Sequence, residues 1–406
     1  MFDREHISEI DRVLNGEETG RDRLVSDSWR RCVEHYGMDP TRPDPAYIVS
    51  ETRLREHREQ SERLIAIARS GLQTLFRQVA GQNYVLLLAD AEGVCVDFFG
   101  DPRFEDELRQ AGLYLGSDWS EDLAGTCGVG SCLVTGEAIT IHQGDHFGLA
   151  HTPLSCTAAP IYDTSGQLTA VLDISLLRSP SPKSSQNLAL SLVTASARRV
   201  EMANLMASSR RDWVLRFSTS PEFLDVDPEA AVALDGSGRI IGMTKGAERL
   251  APDGSGSLIG RHIEDLIEVS VDDLPDLMRG RPTEERVLRL QDGRALFGHA
   301  IAPQSAPCPR AIAPGRGWGR CPVLRGPIRI WRNWRSAPVG WRGQRCPSRS
   351  SAKPEPARNT WRGPSTYRVR QGAAFIPCAV PASQPMRSDR LPKHRPERFF
   401  YAGSKI

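Results

Sequence analysis

No apolar run in the 406 residues approaches the ~20 that a membrane-spanning helix needs, so the sequence offers no helical anchor. The opening stretch "MFDREHISEIDRVLNG" is charged and lacks the apolar segment of a secretory leader. A soluble, cytoplasmic protein with no membrane partner is therefore expected. Nine cysteines stand at irregular spacing, which excludes a recognisable disulfide framework and reads as reduced thiols. There is no G-x-x-x-x-G-K-[ST] loop, so the usual phosphate cradle of an ATPase is absent from these residues. A strong net charge is missing too: the sum is +2.

That average hides a division. From Ile301 onward there are 21 Lys and Arg against 3 Asp and Glu, a net of +18, which leaves residues 1–300 at −16. The same tail holds 16 of the 29 prolines and 5 of the 8 tryptophans. The chain reads as two unlike segments joined near Pro303.

The first segment carries clear periods. Residues 1–80 read as a helical lead-in. Ser26 and Asp27 open a short helix over "SWRRCVEHYG" that Gly37 ends. From about Ser50, Leu54, Leu64, Ala68, Leu72, Leu75, Phe76 and Val79 recur at helical spacing. The pattern then changes to apolar runs separated by Asp- and Gly-bearing turns. "YVLLLAD-AEG-VCVDFFG", "TAAPIYD-TSG-QLTAVLDIS" and "AAVALD-GSG-RIIGMT" each predict a β-hairpin. "PRFEDELRQAG" predicts a helix and "EAITIH" a strand. Residues 184–215, with Leu188, Leu192, Ala195, Ala203, Met206 and Trp213 among their apolar positions, predict one long helix. Such a helix can join two sensory modules or pair with its copy in a dimer.

The chemistry-bearing stretch is "WSEDLAGTCGVGSCLVTGEAI", 119–139. Its "GTCGVG" lacks the lysine and the spacing of a phosphate loop. Cys127, Cys132, His142, His146, His151 and Cys156 offer the soft thiolates and imidazoles that zinc or iron selects. Their spacing fits no common zinc motif, so no metal, cofactor or catalytic residue is expected. A metal- or redox-responsive site stays open as the alternative. The third reading is a pocket wall: glycines for tight turns, Trp119, Leu123 and Val129 as apolar lining, and Thr126, Cys127, His142, His146 and Cys156 as polar contacts.

"SDSWRRCVEHYGMDP", "VSETRLREHRE", "VLLLADAEGVCVD", "GLYLGSDWSEDLAGTCGVGSCLVTGEAITIHQGDHF" and "LSCTAAPIYDTSGQLTAVLDIS" strongly resemble the N-terminal sensor of sigma-54-dependent, Fis-type transcriptional activators of the acetoin catabolism regulator type. The resemblance covers about residues 5–215. It implies an α+β fold: a GAF domain (an antiparallel sheet with flanking helices) at 81–180, a signalling helix at 181–218, and a PAS-like α+β domain at 223–303. It also implies a small organic effector as partner, a homodimer formed through helices, and no enzyme activity in the sensor. Cys127 stands where the family loop usually has Asn.

Family members continue into an AAA+ ATPase and a helix-turn-helix, which would contact RNA polymerase and DNA. Neither is legible in this chain. The tail, 304–406, is rich in Arg, Pro, Gly, Trp and Cys, as a shifted reading frame of a GC-rich gene would be. It is expected to be disordered and dispensable, a truncated or frameshift-derived end. Its rival reading is a nucleic-acid arm in which arginines and tryptophans clamp a single strand.

Overall fold

In a computed structural model, the described residues are 2–304, apart from 43–44, 80, 82, 180–181 and 252–255. The tail expected to be disordered, and its nucleic-acid alternative, lie outside them.

The lead-in begins with α1 (Phe2–Leu14) and α2 (Arg23–Arg30), which continues through a π turn to His35. Gly37 follows with φ +66° and ends it. The helix starts at Arg23, five residues before the expected start at Ser28, with Asp22 at its N-cap position. A two-residue strand β1 (Tyr47–Ile48) leads to α3 (Glu51–Gln60), where the Ser50 side chain accepts from the Arg53 amide. After Ser61 comes α4 (Glu62–Val79). Its buried positions Ile65, Ala68, Leu72, Leu75 and Val79 form one stripe at intervals of three and four, as an amphipathic helix requires.

The expected hairpins follow. β2 (Tyr84–Asp90) pairs with β3 (Cys95–Phe99). Then come α5 (Glu105–Gln110), β4 (Ser117–Asp118), which pairs with β1, and the short helices α6 (Glu121–Ala124) and α7 (Gly128–Thr135). β5 (Ile139–His142), β6 (Ser155–Tyr162) and β7 (Leu168–Leu176) complete an antiparallel sheet of order β3-β2-β7-β6-β5. The long helix α8 (Asn187–Ser208) follows.

Both faces of this sheet are covered, which is why its strands read as nearly unbroken apolar runs. On one face Leu86, Leu88, Ile161, Leu172 and Ile174 pack against the stripes of α4 and α8. On the other, Val85, Leu87, Cys156, Ala158 and Val171 meet α7, the 139–154 region and the lead-in residues Ile10, Val13, Val25 and Trp29. The lead-in is therefore part of this core and not a separate segment before it.

The expected helix over 184–215 is shorter than predicted. It ends at Ser208, and Trp213 opens a strand, β8 (Trp213–Ser218). With β9 (Ala230–Leu234), β10 (Ile240–Met243), β11 (Val287–Arg289) and β12 (Ala295–Ile301) it forms a second antiparallel sheet of order β10-β9-β8-β12-β11. β8 is held between β9 and β12 at the sheet centre, so "WVLRFS" trades helical bonds for two ladders. Leu215, Phe217, Val232, Leu234, Ile240, Leu258, Ile263, Leu274 and Leu288 build the second core.

Candidate functional site

The stretch 119–139 is placed by close backbone contact. A Cβ on Gly128 would stand 2.8 Å from the Cys156 Cβ and 2.9 Å from Asp173 Oδ1. One on Gly130 would stand 2.7 Å from the Glu121 nitrogen and 2.8 Å from the Trp119 carbonyl. These glycines let the start of α7 lie directly on β6 and against the 119–121 turn. Cys127 has the conformation and the bonds of an N-cap. Its Sγ accepts from the Gly130 amide at 3.3 Å and donates to the Trp119 carbonyl at 3.1 Å. Asn is among the best N-cap residues, so a cysteine here takes over a cap. Burial pushes its thiol, and those of Cys132 and Cys156, well above the ordinary value. That opposes the thiolate form that both metal ligation and redox attack require. Among the described residues no group of three or more His, Cys, Asp or Glu is arranged to hold a metal ion.

Most of the other expected pocket residues converge. Trp119, Val129, Phe147 and Cys156 are at most 4% exposed and belong to the same core. His146 is fully buried, and His151 stands between it and Trp119, with ring centroids 6.5 and 4.9 Å away. Thr126 is buried too; its hydroxyl meets Ser28 at 2.6 Å on α2, and its carbonyl accepts from the Phe147 amide. His142 bonds the Ser155 hydroxyl through Nδ1 at 2.9 Å and borders a surface hollow with Arg21, Asp145 and Lys183. Leu123 does not join them. It is 46% exposed and borders a different hollow with Arg53, His57 and Asp122. The single turn of α6 presents it outward.

The two buried imidazoles define the polar chemistry. His146 donates from Nδ1 to the Gln143 carbonyl at 3.0 Å, which leaves Nε2 as the acceptor of a neutral ring. Nε2 has no partner. His151 stands near the Ala124 backbone, but neither ring nitrogen meets hydrogen-bond geometry with a partner. Burial lowers His146 to about 3 and His151 to about 4, so both rings are uncharged at neutral pH. Against the start of α7, next to Gly128, lies Asp173, whose Oδ2 accepts from the Ser175 hydroxyl at 2.5 Å while Oδ1 has no hydrogen-bond partner. Burial raises its carboxyl to about 7.

The lead-in covers this face. The Trp29 indole donates to the Asp145 carbonyl at 2.9 Å, and His6 Nε2 donates to the Phe147 carbonyl at 3.2 Å. Asp145 also accepts from Arg21 at 2.6 Å and from Lys183 at 2.7 Å, and Lys183 reaches Asp22 as well. One buried carboxylate thus fastens the lead-in, the 143–146 turn and the approach to α8. A second, Glu121, anchors α2. Its side chain is 1% exposed and receives two bonds of 2.8 Å from Arg31 and one from Ser28. Sequence reasoning missed Glu121, because "SED" at a helix start reads as a solvated first turn. It counted His151 in the cysteine–histidine cluster but not among the pocket residues. The available signal was its place near His146 in a stretch poor in charge.

The fold is an antiparallel five-stranded sheet with α4 and α8 on one face and a helix-and-loop layer on the other. Residues 63–204 match the GAF domain, so the chain carries one. The match takes in α4 and most of α8, beyond the expected 81–180, because both helices cover one face of the sheet. The chain is related to the acetoin catabolism regulatory protein of Cupriavidus necator, with 45% identity over 314 residues, 74% of this chain and 47% of that protein. It also resembles the acetoin dehydrogenase operon transcriptional activator AcoR of Bacillus subtilis, 27% identical over 38% of this chain and 25% of that one. The chain thus spans half or less of the length of these relatives. Among solved structures, a chain of the E. coli DhaR(N)-DhaL complex is similar over 70% of this chain and 100% of its own, at 16% identity and a TM-score of 0.41. The named relatives are regulators and not enzymes. No described helix is long and apolar enough to cross a membrane.

Proposed function

We propose that this chain is the signal-sensing part of a cytoplasmic bacterial transcription regulator, and that its GAF domain binds a small uncharged organic effector at Trp119, His146 and His151. The observation that carries this reading is the pair of buried neutral imidazoles with unpartnered nitrogens. A buried polar atom left unsatisfied costs about 1–3 kcal/mol, and a ligand that satisfies it recovers that. His146 Nε2 can only accept, so it calls for a hydroxyl. His151 can donate from one nitrogen, so it suits a carbonyl. A molecule with one hydroxyl and one carbonyl, beside Trp119, meets both. The first relative's name supplies a compound of that description, acetoin.

Because the lead-in fastens over this face, entry requires the Trp29 and Arg21 contacts to open, and binding shifts the balance between fastened and loosened states. Pairing with a second copy through the helices, and contacts with DNA and polymerase, belong to the longer relatives' architecture as proposals for this chain.

Titration calorimetry with acetoin tests the reading. Saturable one-to-one binding to the full chain is expected. Trp119→Ala is expected to weaken it at least about tenfold, since an aromatic wall of this size contributes well over 1.4 kcal/mol. Circular dichroism would show that the variant remains folded. An affinity unchanged by Trp119→Ala would remove the site from this face.

A further inference from the structure

We propose that Tyr162 and Glu201 are positioning residues that couple the helix bordering the effector site, α7, to the second sheet. This inference rests on the sensing reading only for its biological use; the joint itself is a property of the unliganded chain.

α7 begins at Cys127 beside the Trp119 face and ends at Thr135. The next carbonyl, of Gly136, accepts the Tyr162 hydroxyl at 2.8 Å. Tyr162 is the last residue of β6, the strand on which Cys156 contacts the start of α7. Its amide donates to Glu201 Oε1 at 3.0 Å, and the Lys245 amide donates to Glu201 Oε2 at 3.2 Å. Lys245 follows β10 in the second sheet, and its ammonium lies 4.6 Å from the centroid of the Tyr162 ring. Next to this, the Met243 amide of β10 donates to the Thr164 carbonyl in the β6–β7 turn at 2.9 Å.

Glu201 lies on α8 and is 6% exposed. A carboxylate so buried needs both oxygens satisfied, and here one N–H comes from each sheet. No residue with a single acceptor can replace it. A glutamine keeps one oxygen and turns an NH2 donor toward the other amide. Movement of α7 would pull on Tyr162, and Tyr162 shares its acceptor and its ring with Lys245. The second sheet is thereby coupled to the sensor by a route beside the covalent one along α8. Contiguity alone does not establish coupling, so the test perturbs one end and reads the other.

Backbone hydrogen exchange of the full chain, without effector, provides that reading. Tyr162→Phe removes only the hydroxyl that touches Gly136. It is expected to speed exchange at the Met243 and Lys245 amides about fivefold, the size of one net hydrogen bond, while amides of β11 and β12 stay unchanged. Lys245→Gln, made in the second sheet, is expected to speed exchange at the Gly136 amide, because coupling between two sites is reciprocal. It gives the same information should Tyr162→Phe fail to fold. Glu201→Gln is expected to affect both ends. Acceleration confined to the neighbourhood of each substitution would overturn the proposal and leave the effector site untouched. Failure of acetoin to bind would leave this joint untouched.

Discussion

Replacing Arg31 with methionine should destabilise the protein by about 3 kcal/mol or more. The substitution keeps the length of the side chain and removes two hydrogen bonds to Glu121. Glu121 is then a nearly fully buried carboxylate with Ser28 as its one close partner; Tyr36 and Ser131 lie at 3.5 Å. Breaking one partner out of a buried ion pair typically costs about 3–5 kcal/mol, because the remaining charge stays desolvated. Arg31 keeps some solvent contact, so the lower end applies. Glu121→Gln should cost less, since the charge left behind is on Arg31, which reaches solvent. Urea unfolding of the three proteins checks this. An Arg31→Met loss below about 0.5 kcal/mol would mean that α2 is not anchored here and that the lead-in is not part of the sensor core.

The second large effect concerns pH. His146 and His151 titrate near 3 and 4 in the folded chain, below the ordinary 6.5. The unfolded chain therefore binds more protons than the folded one between about pH 4 and 6.5, and stability rises with pH across that window. Asp173 and Glu201 do the opposite. Burial raises both to about 7, from 3.8 and 4.5, so the folded chain binds more protons between about pH 4 and 7. Their contribution is fully present below the unfolded value and is lost as pH rises through 7. His6 and His299 are lowered by burial as well, so the histidines outnumber the two carboxyls and wild-type stability should still rise with pH from 4.5 to 6.5. Asp173→Asn removes one opposing group. Relative to wild type, the variant should gain on the order of 3–4 kcal/mol between pH 4 and pH 8, at about 1.4 kcal/mol per unit. Thermal midpoints of both proteins across that range decide it. A difference independent of pH would mean that Asp173 is ionised throughout.

Much of the first sheet was legible because its signals are local. Each hairpin carries its turn residues between two apolar runs, as at Asp90 and Asp163 and, in the second sheet, Asp235, and these side chains bond the turn amides. α4 was legible from its stripe. β8 was not, because one of its two ladder partners, Phe297–Ile301, lies some eighty residues away and the preceding helical period runs up to Ser208. The residues of the proposed site, in and after the loop 119–139, could not be sorted by face from sequence. Trp119, Val129, His146 and Cys156 turn in, Leu123 turns out, and Thr126 bonds α2. That sorting is set by the Gly130 contact with Glu121 and by the docking of α2, both long-range. The lead-in was read as preceding the sensor because helical period says nothing about which surface a stripe covers.

Nitrogen-15 NMR of the imidazoles, during titration of the full chain with acetoin, tests the central claim most directly. The account predicts that His146 Nε2 and one nitrogen of His151 shift together and saturably as they gain hydrogen-bond partners, with both rings staying neutral. Binding by calorimetry with no change at either ring, or with shifts confined to histidines elsewhere such as His35 and His262, would contradict it.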